Sequence, residues 1–182
     1  MRKILFAACC ALTACGPAAS TPSRGPVEVP TQVVNTGDAI HVTTSAEVRV
    51  VSNTVDAPVD RVWAVLPAVY QELGLETSAD ADRRTAMGGA TVIRRFQGES
   101  ATRFFDCGVG QFGSQIAANY TIRMTVSTTV NPGSDGGDSR LDTMIEAFAR
   151  SNDGANAVAA QCRTQGRLEQ LISDRVRAKL AS

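Results

Sequence analysis

The chain has 182 residues with 18 basic and 18 acidic side chains, so its formal net charge is zero. Hydrophobic residues make up 43% of it, which is enough to build one folded domain of ordinary size. No long run of Lys or Arg occurs, so the charge pattern excludes the electrostatic attraction on which nucleic-acid binding depends. We therefore expect no nucleic-acid partner.

The first 14 residues have the pattern of a secretory signal. Arg2 and Lys3 precede an apolar stretch, 4–12, which is too short to span a bilayer, and small residues follow it. The stretch Leu12-Thr13-Ala14-Cys15 resembles the lipobox of bacterial lipoproteins. That resemblance implies cleavage before Cys15 and attachment of a diacylglycerol to its thiol, so that acyl chains anchor the protein to a membrane. The alternative is an ordinary cleaved signal.

The residues after the lipobox indicate where the protein lies. Gly16 is not the Asp that, in bacterial lipoproteins, is associated with retention in the inner membrane. The resemblance therefore favours the outer membrane, with the protein facing the periplasm. Residues 15–31 are rich in Pro, Ser, Ala and Gly, which predicts a lipidated tether. Residues 32–182 are then left for a single domain.

The remaining cysteines predict a disulfide. Two of the five cysteines leave with the signal and Cys15 takes the lipid, so Cys107 and Cys162 are left. In an oxidising envelope compartment, two such cysteines most often form a structural disulfide. A redox pair is disfavoured because the two are not in a Cys-x-x-Cys arrangement. A metal site is disfavoured because His41, the only histidine, lies far away in sequence.

The domain begins with strand signals followed by a helix. Two apolar pairs within 33–42 flank a turn-like stretch and predict a short hairpin, and 47–55 is a strand candidate. Asp56 is a cap-like residue just before a helix that starts at Pro58. Pro67 predicts a kink or two short helices, and Gly74 predicts the end of the helix. Its apolar face is formed by Val59, Val62, Trp63, Leu66, Val69, Tyr70 and Leu73.

Beyond this helix the pattern predicts mostly strands. Residues 75–79 can begin a strand, whereas 80–89 is polar and predicts a loop. Further strands are predicted at 91–96, 102–107, 115–129 and 140–150. The stretch 131–138 predicts a turn. One face of the last strand is formed by Leu141, Thr143, Ile145, Ala147 and Ala149.

The C-terminal part predicts a long helix. Residues 157–163 are a final strand or a lead-in to the helix, and Thr164 is the predicted cap. The inward face of the helix is formed by Leu168, Leu171, Ile172, Val176 and Leu180. The order of elements predicts an α+β fold, in which a curved antiparallel sheet carries a kinked N-terminal helix and a long C-terminal helix.

Three segments carry a fold resemblance over residues 48–180, namely 55–63, 72–75 and 166–170. The layout resembles the helix-grip arrangement of the START and birch-pollen-allergen superfamily. It is also similar to the small helix-grip domains in the third lipoprotein subunit of the bacterial β-barrel assembly machinery. The resemblance implies a fold and no catalytic residue, because fold alone does not determine function.

The catalytic alternatives lack the residues that they need. The stretch 108–113 matches the glycine fingerprint of dinucleotide-binding folds, but that site requires a following helix, and residues 121–126 are instead rich in β-branched side chains. We expect its glycines to form a turn or bulge. A hydrolytic set would need His41, which lies close to the tether. Asp135 and Asp138 lack the further oxygen ligands of a calcium loop. We therefore predict no enzyme, no cofactor and no metal site.

The sequence thus predicts an envelope lipoprotein whose domain is a non-catalytic binding or assembly module. Its partners are the membrane, through the lipid anchor, and envelope proteins, through the surface of the sheet or the helix. The alternative is a carrier that holds a lipid or another hydrophobic ligand between the sheet and the helix at 166–180, as the START resemblance implies. No pattern singles out ligand-binding residues.

Overall fold

The computed structural model describes residues 49–110, 113–151 and 159–182. Cys15, His41 and the hairpin predicted within 33–42 lie outside the described residues. The helices are α1 (Val59–Glu72), α2 (Ile116–Asn119) and α3 (Arg167–Leu180), and a 3₁₀ turn spans Ala101–Arg103. The strands are β1 (Val50–Val55), β2 (Glu76–Asp80), β3 (Thr85–Ile93), β4 (Arg95–Phe96), β5 (Glu99–Ser100), β6 (Phe105–Asp106), β7 (Thr121–Pro132), β8 (Ser139–Arg150) and β9 (Ala160–Thr164).

Strands β3, β7 and β8 form the centre of one antiparallel sheet. On one side of this centre, β3 pairs with β2 along its first half and with β4 at its end, and β4 pairs with β5. On the other side, β8 pairs with β1 along its first half and with β9 near its end, and β9 pairs with β6. The path across the sheet is therefore β5-β4-β3-β7-β8-β9-β6, with β1 and β2 beside it.

The β7–β8 hairpin decides which side chains enter the core. Its strands pair along their whole length, from Thr121 opposite Arg150 to Pro132 opposite Ser139. Paired residues share a face of the sheet, so alternate positions of both strands point to the same side. The predicted apolar face of β8 is confirmed, because all five of its members are buried: Leu141, Thr143, Ile145, Ala147 and Ala149.

Helices α1 and α3 pack against each other and cover this inner face of the sheet. The first contacts β2, β3 and β7, and the second contacts β1 and β8. Their fully buried hydrophobic side chains are Val62, Leu66, Val69 and Tyr70 from α1 and Leu168, Ile172 and Val176 from α3. Burial of each large apolar side chain contributes roughly 1.5–3 kcal/mol to the free energy of unfolding. The predicted α+β class, with a C-terminal helix on a curved antiparallel sheet, is confirmed.

Helix α1 is continuous through Pro67, so the predicted alternative of two short helices is wrong. Proline lacks an N–H and removes one hydrogen bond from the helix. Buried residues lie on both sides of it, Leu66 and Val69 among them, and their packing holds the helix together. The predicted cap is also wrong: the cap position is Pro58 rather than Asp56, and no side chain bonds to the first helical N–H groups.

The prediction that α1 ends near Gly74 is confirmed, because the helix ends at Glu72. The backbone conformation at residue 74 explains why a glycine is found there. Gly74 has a φ of +69°, a conformation that costs glycine little. Its N–H donates to the carbonyl of Gln71, and the N–H of Leu75 donates to the carbonyl of Tyr70. These two bonds satisfy carbonyl groups that the helix end would otherwise leave free. The chain then turns directly into β2.

The predicted cap of α3 is wrong as well. Thr164 is the last residue of β9, and its hydroxyl donates to Oε1 of the buried Glu169 at 2.7 Å. The cap position belongs to Gly166, whose φ is +78°. A left-handed residue is needed because the chain turns sharply between strand and helix, and glycine supplies it without a steric penalty.

Three further predictions need correction. Residues 80–89 are not a loop, because Asp80 ends β2 and residues 85–89 begin β3, with a four-residue turn between them. The composition misleads because the stretch contains the charged turn at 81–84 and two glycines of β3, Gly88 and Gly89, which have low strand propensity. Residues 115–119 are not strand but contain α2, and 102–107 divides into the 3₁₀ turn and the short β6. Within the described residues, no helix is long and apolar enough to cross a membrane.

Gly88 permits the closest approach between β3 and α1. A Cβ atom at this position would lie 2.8 Å from Cδ1 of Tyr70 and 2.9 Å from Cβ of Leu75. We predict that Gly88→Ala lowers the free energy of unfolding by about 1–3 kcal/mol, because the core has to shift to admit the methyl group. Gly89→Ala is the matched control, since its Cβ would meet only a backbone oxygen at 3.7 Å. Urea denaturation measures the stability of both variants. Equal denaturation midpoints for Gly88→Ala and Gly89→Ala would contradict this packing.

Candidate functional site

The structure joins Cys107 and Cys162 by a disulfide. Strands β6 and β9 pair at Phe105–Thr164 and Asp106–Arg163, and the two cysteines are the next opposed positions in the same register. Their Cα atoms lie 4.0 Å apart and both side chains are buried. The bond therefore fastens the segment between β3 and β7 to β9, and through β9 to the centre of the sheet.

A small cleft lies beside the disulfide. Its volume is about 160 Å³, and it is lined by Thr102, Phe105, Asp106, Cys107, Gly108, Gln115, Ala117 and Gln165. Its polar groups already have partners within the protein: Asp106 Oδ1 accepts from the N–H of Gly108, and Gln165 Nε2 donates to the carbonyl of Thr102. A drug-sized ligand needs roughly 300 Å³ or more. The cleft therefore suits a few water molecules better than a substrate.

Within the glycine-rich stretch 108–113, Gly108 lines this cleft, and the described glycines hydrogen-bond to residues nearby in the chain. The N–H of Gly110 donates to the carbonyl of Ser114, that of Gly113 to Gly110, and that of Ile116 to Gly108. A phosphate-binding loop needs such N–H groups free and a helix behind them. Here the N–H groups of Gly108, Gly110 and Gly113 are engaged, and α2 is only four residues long. The turn expected for these glycines is confirmed by φ values of +79° at Gly108 and +75° at Gly113.

A polar chain crosses the core between α1 and the sheet. The hydroxyl of Tyr70 donates to Oγ1 of Thr128 at 2.8 Å, and Thr128 is 2.9 Å from Oγ1 of Thr143. Burial raises the pKa of Tyr70 far above its usual value, although the bond to Thr128 lowers it in part. A buried phenol of this kind keeps its proton at neutral pH and cannot act as a base. Its role is to bind α1 to β7 and β8.

The carboxylates with shifted pKa values are ionised and fully engaged. Burial raises the pKa of Asp142, but hydrogen bonds from Ser52, Arg140 and Asn131 outweigh it and hold that pKa below its usual range. The hydrogen bond from Arg167, 2.7 Å long, is the main cause of the lowered pKa of Glu99. Neither group is suited to donate a proton at neutral pH, because both favour the charged form.

Glu169 is a fully buried carboxylate in the first turn of α3. Its Oε1 accepts from Thr164, and its Oε2 has no hydrogen-bond partner among the described residues. No substrate can reach a side chain that is completely buried in this way. Across the described ranges, no three His, Cys, Asp or Glu side chains lie close enough together to hold a metal ion.

Most of the large exposed apolar side chains of the described residues lie on the outer side of the sheet. We call the outward side chains of β1, β3, β7 and β8 the open face, because α1 and α3 both pack on the other side. Five large apolar side chains are well exposed in the described parts of the chain, and four belong to this face: Val50 (55%), Met87 (48%), Ile93 (61%) and Phe148 (43%). Concentrations of this kind mark interaction sites.

The register arranges the open face in rows across the strands. Met87, Ser127, Met144 and Val50 lie opposite one another on β3, β7, β8 and β1. The next row is formed by Gly89, Thr125 and Glu146. Nearer the end of β8, Thr91, Arg123 and Phe148 form a third row, and Ile93, Thr121 and Arg150 form a fourth. Ser127 lies between Met87 and Met144, and Thr121 lies between Ile93 and Arg150, so the face mixes apolar, hydroxyl and charged side chains.

Sequence reasoning did not identify the open face, although one signal was present. The alternation that places Ile145 and Ala147 inside requires Phe148 to point outward, and an aromatic residue at an outward position is unusual. The proximity of Arg123 to Arg150 carries no local signal, because 26 intervening residues separate them. Only the pairing of β7 with β8 brings them together.

Comparisons with known proteins leave the chain without an assigned family. No family model matches it, and no curated protein matches it. Among solved structures it is similar to a DUF4468 family protein from Bacteroides ovatus, with 11% sequence identity and a TM-score of 0.32. The match covers 69% of this chain. It covers 64% of the Bacteroides ovatus protein, which is less than two thirds of that protein's chain. A likeness this weak supports no argument about the fold or the function.

We predict that the double substitution Cys107→Ala and Cys162→Ala lowers the free energy of unfolding by up to about 4 kcal/mol. The disulfide closes a chain separation of 55 residues, and its loss restores freedom to the unfolded chain. Thermal denaturation of protein that also carries Cys15→Ser measures the effect. Dithiothreitol should lower the melting temperature of the protein with both cysteines and leave the double variant unchanged. The same dithiothreitol response in both proteins would show that the disulfide does not stabilise the fold.

Proposed function

We propose that this protein is a lipid-anchored lipoprotein of the bacterial envelope, and that its domain is a non-catalytic module that binds another envelope protein. The open face of the sheet carries this proposal. It is a broad surface on which large apolar side chains remain exposed, while the opposite face of the same sheet is closed by two helices. A sheet with one unoccupied apolar face is suited to contact a second protein.

The anchor rests on the sequence Leu12-Thr13-Ala14-Cys15. A thiol-linked diacylglycerol at Cys15, with a further acyl chain at the new N-terminus, would hold the protein on the membrane, since each buried CH₂ contributes about 0.8 kcal/mol. Gly16 favours the outer membrane. The disulfide between Cys107 and Cys162 supports export, because such bonds persist in oxidising compartments.

Packing favours the surface over the interior as the binding site. A carrier of hydrophobic ligands would use an apolar cavity between the sheet and α3. The inward side chains of α3, Leu168, Ile172 and Val176, are fully buried there, and Leu141 and Ile145 of β8 are buried in the same core. These side chains occupy the layer in which a ligand would lie.

The titratable groups support a non-catalytic role. Tyr70 and Glu169 are sealed in the core, and Asp142 accepts hydrogen bonds from three side chains. Catalysis of acyl, phosphoryl or proton transfer needs groups that reach a substrate and change their protonation. The described groups whose pKa values are raised or lowered instead serve packing and ion pairing.

The anchor is tested by Cys15→Ala in a bacterial host. We predict that the native protein fractionates with the outer membrane and carries a diacylglycerol at its N-terminus, as intact-mass analysis would show. Cys15→Ala should remove the lipid and shift the protein to the soluble fraction, whereas Cys10→Ala, within the same signal, should change neither. A lipid-free native protein would refute the anchor.

The binding surface is tested by photo-crosslinking in living cells. p-Benzoylphenylalanine in place of Phe148 or Met87 should give one discrete crosslinked envelope protein on illumination, because both positions lie on the open face. The same probe in place of Arg175, an exposed residue of α3, is the matched control and should give none. Adducts at Arg175 alone, or none at either open-face position, would show that the protein does not bind through the sheet.

A further inference from the structure

One end of the open face combines two arginines with two apolar side chains. Arg123 lies directly opposite Phe148, and Thr121 lies between Ile93 and Arg150 in the neighbouring row. We refer to Ile93, Arg123, Phe148 and Arg150 as the arginine patch. Arg123 and Arg150 are diagonal neighbours across the two strands, so their backbones are about 7–8 Å apart.

The two guanidinium groups of the arginine patch are available for a partner. Both side chains are exposed, and neither forms an ion pair with a carboxylate in the described ranges. Arg140 and Arg167 differ in this respect, because Arg140 is paired with Asp142 and Arg167 with Glu99. Arg94, Arg163 and Arg175 are also exposed and form no ion pair within the described residues, so the pairing of Arg123 and Arg150 with two apolar neighbours is what distinguishes the patch. Arginine is among the residues that contribute most to protein interfaces, and its planar fork binds a carboxylate through two parallel hydrogen bonds.

We propose that the arginine patch binds an extended acidic segment of a partner protein, with carboxylates at positions i and i+2 and apolar residues beside them. This inference rests on the proposed binding function of the open face. Side chains on one face of an extended chain repeat every two residues, about 6.5–7 Å apart. That repeat matches the diagonal spacing of Arg123 and Arg150. Ile93 and Phe148 on either side supply apolar contact for the flanking residues.

The charges around the patch favour a protein segment over an anionic membrane. Glu146 lies in the row next to Arg123, and Glu76 and Asp80 of β2 are further exposed acids on the same side of the sheet. A flat anionic bilayer would meet all of these carboxylates at once and would be repelled by them. A narrow segment places its own carboxylates over the two arginines only.

The experiment uses a fluorescein-labelled peptide, Leu-Thr-Glu-Thr-Glu-Thr-Leu, and the full lipidated protein in detergent. Alternate positions of this peptide place both leucines and both glutamates on one face. Fluorescence anisotropy should show binding that weakens as salt rises. A peptide of the same composition with adjacent glutamates, Leu-Thr-Glu-Glu-Thr-Thr-Leu, should bind at least about tenfold more weakly, because its carboxylates point to opposite faces.

Protein variants then locate the binding. Arg123→Gln with Arg150→Gln should weaken binding of the first peptide by at least tenfold, whereas Arg175→Gln, an exposed arginine on α3, should leave it unchanged. Arg123→Lys with Arg150→Lys keeps the charge and removes the planar forks, so it should bind with intermediate affinity. Urea denaturation checks that each variant is folded. If the double glutamine variant does not fold, the double lysine variant provides the test.

Three results would overturn the proposal: no peptide binding, equal binding of the two peptides, or binding that the arginine substitutions do not change. Binding of phosphatidylglycerol-containing vesicles through Arg123 and Arg150, in preference to the peptide, would overturn it in favour of a membrane surface. The peptide-binding result can be distinguished from the crosslinking result. Crosslinks at Phe148 without peptide binding would leave the open face as a binding surface and reject the acidic segment.

Discussion

The continuous pairing of β7 with β8 is the constraint on which the rest of the structure depends. The two strands are paired from Thr121 opposite Arg150 to Pro132 opposite Ser139, and every other strand joins the sheet through one of them or through their neighbours. A shift of one residue in this register would move Ile145 and Ala147 to the solvent and Phe148 into the core. The inner core and the open face therefore follow from the same set of hydrogen bonds.

Buried polar groups help to select this register. Thr128 and Thr143 are directly opposed on β7 and β8, and both lie within a core where an unpartnered hydroxyl would be costly. Their mutual hydrogen bond and the hydroxyl of Tyr70 satisfy them only when the strands pair as observed. Apolar side chains favour burial in general, whereas these three groups require one particular alignment, which also fixes α1 over the sheet.

Local patterns could predict the fold class, and long-range pairing explains what they missed. Alternation in 141–149 and helical spacing in 168–180 each reflect burial on one side of one element, so both were visible in the sequence. The strand start predicted at 75–79 corresponds to β2, whereas the first half of β3 was missed because Gly88 and Gly89 have low strand propensity and supply no side-chain pattern. The pairing of Cys107 with Cys162 followed from counting cysteines, but their position at the end of the β6–β9 ladder did not.

Under the proposed function, one sheet serves both stability and recognition. Exposed apolar residues such as Ile93 and Phe148 contribute little to folding and raise the risk of aggregation. On this face, hydroxyl and charged residues separate them: Thr121 lies between Ile93 and Arg150, and Arg123 lies opposite Phe148. Interspersed charges of this kind oppose non-specific association and leave the apolar groups available to a partner that can match them. The same alternation that closes the core thus places apolar and charged side chains together on the outer surface, which is the combination that the proposed binding function requires.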